Sequence, residues 1–125
     1  MTLQNFLILH VNHMRKCFRL THYDITIYEH KLKGRNAMEI DVENDYLRAY
    51  VSYGKPIKKM WEANDRDGIL LYLCHELAHC LTSQITDFIP KRKAKRALKT
   101  EEQVTEHISR VFYVAYVLYR KANNV

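Results

Sequence analysis

Glycine and proline are scarce in this sequence, three and two in 125 residues. That excludes collagen-like repeats and the Pro/Gly-rich low-complexity class, and leaves most of the chain free to form regular structure. Cysteine is scarce too. Cys17, Cys74 and Cys80 are odd in number and show no C-x-x-C spacing. Cys74 and Cys80 stand six apart on one expected helix, too far along it to bridge each other. Free thiols in a reducing cytoplasm are the simplest account. Long apolar runs are also missing. The patch from Phe6 to Leu9 is interrupted by His10, Asn12 and His13, with no basic region before it and no small-residue cleavage site after it. Neither a signal peptide nor a membrane span is expected.

What is present describes one ordinary globular domain over residues 1–125, with an apolar fraction of 47%. The formal charge is +6, which favours acidic partners without identifying one. Much of the excess lies in the segment Lys91-Arg92-Lys93-Ala94-Lys95-Arg96-Ala97-Leu98-Lys99. Such a run most often forms a solvated loop or helix face, and contact with nucleic acid or a partner is the sharper alternative.

Periodicity orders the chain. Leu3, Phe6, Leu7, Val11, Met14 and Phe18 recur at helical spacing, predicting an amphipathic helix over residues 2–19. Ile25 and Ile27 then alternate with Asp24, Thr26 and Tyr28, as a strand does. A turn signal, Lys33-Gly34-Arg35-Asn36, precedes a second alternating segment from Met38 to Glu43. After Asn44-Asp45 a third runs from Tyr46 to Tyr53. The expected arrangement is a three-stranded antiparallel meander. Residues 57–63 suit a short helix or loop. A long helix from Asp65 or Asp67 to Thr86 follows, apolar on nearly every side between Ile69 and Leu81, and Phe88-Ile89-Pro90 stops it. Thr100-Glu101-Glu102-Gln103 has the form of a capping box, which predicts that the last helix starts at Thr100 and runs to about Lys121.

Within the long helix lies His75-Glu76-Leu77-Ala78-His79. Histidines four apart project from one helical face, one turn from each other. One Zn²⁺ can take both imidazole nitrogens at about 2.0–2.1 Å. Glu76 reaches the space beside the ion, where it can act as general base toward water and later as general acid toward a leaving amine. Burying two histidines and a glutamate among Leu70, Leu73, Leu77 and Leu81 is costly unless they have partners. The same letters contain an E-x-x-H, the unit of di-iron bundles, but no second E-x-x-H occurs. Two ligands are too few, and a third must come from elsewhere in the chain.

With H-E-x-x-H on one helix and carboxylates opening the next, the sequence resembles the gluzincin group of zinc metallopeptidases in a minimal form. It is similar in size and layout to small phage and mobile-element metallopeptidases and to the metallopeptidase domains of repressor-cleaving bacterial regulators. The resemblance implies an α+β, zincin-like fold: N-terminal helix, three-stranded antiparallel sheet, active-site helix, glutamate helix. It also implies that Glu102 completes the zinc site and that Glu106, one turn later, supports a zinc-binding histidine. Glu101, Glu106, His107 and Asp87 remain alternatives for the third ligand. The Gly and third His of metzincins are missing after His79, the Gly-Thr context of aspzincins is missing around Asp87, and the neighbours of His107 do not match SprT-type proteases. His107, Arg110 and Tyr113 are candidates to stabilise an oxyanion. The family binds substrate backbone along an edge strand, for which Tyr46 to Tyr53 is the candidate. The implied activity is zinc-dependent endopeptidase cleavage of a protein substrate in the cytoplasm (host cytoplasm for a phage protein). The rival is a zinc-bearing regulatory protein that contacts nucleic acid or a partner through residues 91–99.

Overall fold

The computed structural model describes residues 1–86 and 94–125. Four α-helices and a small three-stranded sheet build an α+β fold. Helix α1 (Leu3–Cys17) begins where the Thr2 hydroxyl accepts from the Asn5 amide at 3.2 Å, and Arg15 and Lys16 complement its C-terminal dipole. It buries Phe6, Leu7, His10, Val11 and Met14.

Strands β1 (Asp24–Glu29) and β2 (Met38–Glu43) fall where the alternation puts them. β3 (Arg48–Tyr53) starts two residues later than expected, because Tyr46 belongs to a 3₁₀ turn and Leu47 is left-handed, and the strand order is β1-β3-β2. β3 is antiparallel to β2 and parallel to β1, so the sheet is mixed rather than an antiparallel meander. The residues between β1 and β2 carry the chain past the place beside β1. A single 3₁₀ turn, Asn44–Tyr46, then returns β3 into the gap. The burial of Ala49, Val51, Ser52 and Tyr53 reflects this central position. Alternation reports which face of a strand is buried and is silent about its neighbours. The strand expected at the edge, Tyr46 to Tyr53, is therefore the central one, and β1 and β2 are the outer strands.

Helix α2 (Lys55–Glu62) is short and ends near the start of α3 (Arg66–Thr86). Asp65 caps α3, accepting from the Gly68 amide at 3.0 Å. A Cβ at position 68 would run into that carboxylate and the tip of Met60, so a larger residue there would force the cap and the Met60 side chain to shift. Ile69, Leu70, Leu73, Cys74, Leu77, Ala78 and Cys80 of α3 are buried, but Leu71, Tyr72 and Leu81 are exposed, so the helix is interior on most sides and not all round as expected.

Helix α4 spans Ala94–Asn123, about 45 Å at 1.5 Å per residue. It does not start at Thr100. That hydroxyl lies inside the helix and donates to the Arg96 carbonyl one turn back, at 3.1 Å. Ala, Leu, Lys and Arg are all strong helix formers, so the second half of the basic segment extends the helix. Asp87, Phe88-Ile89-Pro90 and the basic residues Lys91-Arg92-Lys93 lie outside the described residues; Arg96 and Lys99 are exposed. The face of α4 that packs inward carries Glu101, Thr105, Ser109 and Tyr116, while Val104, Val111, Val114 and Leu118 face out. Phe112 stacks on Phe18, the residue that follows α1, with ring centroids 4.0 Å apart, and His10 and Tyr116 meet at 2.6 Å. No helix among the described residues is long and apolar enough to cross a membrane.

Candidate metal centre

Helices α3 and α4 pack side by side, and their facing polar residues meet at one point. His75 and His79 lie on the α4-facing side of α3, with ring centroids 5.3 Å apart. From α4, Glu102 sets one carboxylate oxygen 2.9 Å from His79 Nε2 and the other 3.5 Å from His75 Nε2. Ligand atoms of His75, His79 and Glu102 all lie within 4.8 Å of one another, a group that could hold a metal ion.

The other ring nitrogens are occupied. His75 Nδ1 meets Glu106 at 3.1 Å and His79 Nδ1 meets Glu101 at 3.0 Å. Glu101 is buried, and its carboxylate also accepts from the Thr82 hydroxyl at 3.4 Å; Thr82 and Thr105 hydroxyls are 2.8 Å apart. With carboxylates on both Nδ1 atoms, each neutral imidazole carries its proton there and turns the Nε2 lone pair toward Glu102. Lone pairs and a carboxylate then face one another. A cation among the three groups would relieve that clash. Two imidazoles and a carboxylate without a thiolate are a donor set that suits several divalent metals, zinc and non-haem iron(II) among them.

Glu76 lines the same cleft as His75 and His79. It is buried, and burial pushes its carboxyl up to about 8, with the negative charges of Glu102 and Glu39 adding to the effect.

These groups open into a cleft of about 1030 Å³ between α3, α4 and β2. Ala37, Met38, Ile40 and Val42 form one wall, and Leu71 and Tyr72 contribute from α3. β2 pairs with β3 on one side only among the described residues.

The structure thus brings together His75, His79 and Glu102, sets Glu106 against His75, and gives Glu101 to His79. Of the three oxyanion candidates, Arg110 lines the cleft, 3.7 Å from Glu106. His107 is exposed on α4, and Tyr113 packs against the core. Sequence reading missed Thr82 and Thr105. The signal was there: Thr82 lies three residues after His79 and Thr105 four after Glu101, polar positions on the faces those residues define. Comparison with protein-family models, with curated proteins and with solved structures finds no match to this chain.

Proposed function

We propose that this chain is a minimal, zincin-like zinc peptidase that cleaves a protein or peptide substrate. One observation carries the reading: His75 and His79 converge through Nε2 on Glu102, while carboxylates hold both Nδ1 atoms. Structural histidines rarely need that much orientation, whereas metal ligands do.

His75, His79 and Glu102 would hold the ion. When bound, zinc supplies Lewis acidity, polarising a carbonyl and making water more acidic. The remaining work belongs to the side chains. Glu106 and Glu101 fix the imidazole orientations, and Thr82 and Thr105 in turn hold Glu101. The Glu76 carboxylate, buried beside the histidines, accepts a proton from the attacking water and returns it to the leaving nitrogen. β2 offers a backbone edge unpaired among the described residues to an extended substrate, and Arg110 presents a positive charge to the cleft.

Metal analysis after exposure to zinc should find about one ion per chain, lost in His79→Ala. Glu76→Gln should keep the ion and lose peptide cleavage by a factor of at least about 100. Cleavage that survives in Glu76→Gln would sink the proposal. A protein that binds zinc yet cleaves nothing as wild type would instead be the regulatory, metal-bearing rival.

A further inference from the structure

Helix α3 hides most of its large apolar side chains, but Leu71 is 46%, Tyr72 40% and Leu81 37% exposed. Leu81 lies outside the lining of the metal cleft, whereas Leu71 and Tyr72 stand in its wall. They precede His75 by four and three residues, so they share its face of the helix, with Cβ atoms about 5–6 Å away. Ser83 holds the corresponding place four residues after His79 and also lines the cleft. Along α3, the metal centre is thus flanked by apolar surface on the His75 side and by a hydroxyl on the His79 side.

The facing wall runs the length of this stripe. Asn44, which follows β2, donates to Ser83 at 3.3 Å and fixes that end of the strand against the last turns of α3. Ala37 and Met38, at the other end of β2, therefore lie toward the turns that carry Leu71 and Tyr72, in the same cleft. The β2 wall stays apolar from Met38 through Ile40 to Val42, so the two ends of the cleft differ in what α3 sets opposite it. The polar neighbours do not fill the Leu71 end. Asn36 donates to Glu39 at 2.6 Å, and Arg110 turns toward Glu106 at 3.7 Å. Arg35 and Arg110 also carry apolar stems that can close over an apolar guest. Two adjacent large apolar side chains left open beside a polar centre are not a requirement of the core; they make a contact surface.

We infer that Leu71 and Tyr72 form the pocket that selects the substrate, taking a large apolar side chain of the polypeptide on the His75 side of the cleaved bond. The inference rests on the peptidase reading above and adds to it the class of substrate. An extended chain advances about 3.3 Å per residue. A pocket this close to His75 therefore serves a residue within two positions of that bond.

The test uses the zinc-loaded full chain and a library of proteome-derived peptides, with products sequenced. Wild type should cut at bonds sharing Leu, Ile, Met or Phe at one position within two residues of the cleavage, on one side only. A synthetic peptide with leucine there should be cleaved about 30-fold faster, as kcat/KM, than its serine counterpart. The double variant Leu71→Ser, Tyr72→Ser should bind zinc as wild type does and lower that ratio to under about 3-fold. Leu81→Ser, on the same helix outside the cleft, should keep the ratio at about 30-fold. Should the double variant lose zinc, Leu71→Gln alone decides, with a ratio expected under about 10-fold. A wild-type ratio in the zinc-binding variant, or wild-type sites with no shared apolar residue, overturns the pocket and leaves the peptidase reading intact. No cleavage by wild type beyond that of Glu76→Gln overturns the peptidase reading, and the pocket with it.

Discussion

Glu101 and Glu106 hold the two histidines through equivalent bonds, yet they sit in different surroundings, and replacing each by glutamine should separate two effects. In the proposed zinc site both side chains would orient a ligand, so either substitution should weaken zinc binding by about 10- to 100-fold. Through linkage, each ten-fold loss removes about 1.4 kcal/mol of the stabilisation that excess zinc confers. Without metal the two should diverge. Glu106 is 53% exposed, and its contact with His75 is screened by water, so Glu106→Gln should change stability by under about 1 kcal/mol. Glu101 is only 9% exposed and joins His79 to the Thr82–Thr105 pair. Disturbing that buried network leaves polar atoms badly matched and should cost about 1–3 kcal/mol. Competition against a chromophoric chelator gives the affinities, and urea unfolding in EDTA gives the metal-free stabilities. Equal metal-free stabilities for the two variants would refute the assigned difference in burial. Unchanged zinc affinity in both would refute their role in holding the histidines.

Two further outcomes follow from other parts of the fold. His10 is buried against Tyr116, and burial first, then Arg120 and His13, lowers its pKa from 6.5 to about 4. The unfolded chain therefore binds this proton more readily. The stability linked to His10 is fully present above pH 6.5 and is lost as pH falls toward 4, about 2 kcal/mol of it by pH 5. Urea unfolding in EDTA between pH 4 and 7.5 should show that slope in wild type and a flatter one in His10→Gln; parallel profiles would contradict it. Thr100→Ala should leave stability unchanged or raise it by about 0.5 kcal/mol, because the residue is exposed inside α4. Removal of a true cap would cost about 1 kcal/mol, so a loss of that size would restore Thr100 as the start of the helix.

The sequence alone determined the elements and the chemistry of the central motif. A buried face repeats along a helix or strand at a fixed period, so α1, the three strands and α3 could be read from neighbouring residues. His75, Glu76 and His79 share a turn of one helix, and their mutual geometry needs no other part of the chain. Capping was less legible. A Thr three residues before a Gln fits both a helix start and a helix interior, and only the preceding turn of α4 distinguishes them. Tertiary structure decided everything that depends on two elements meeting. β3 entered between β1 and β2 because pairing order follows from loop lengths and packing, to which alternation is blind. The rotation of α4 against α3 was also a matter of packing, since residues 111–119 are apolar on every side. That rotation sets Glu102 before both Nε2 atoms, Glu106 on His75 and Glu101 on His79. Three glutamates within six residues are chemically alike. Their different roles come from which helix face is turned inward, a choice made by Phe112 against Phe18 and by Tyr116 against His10 of α1.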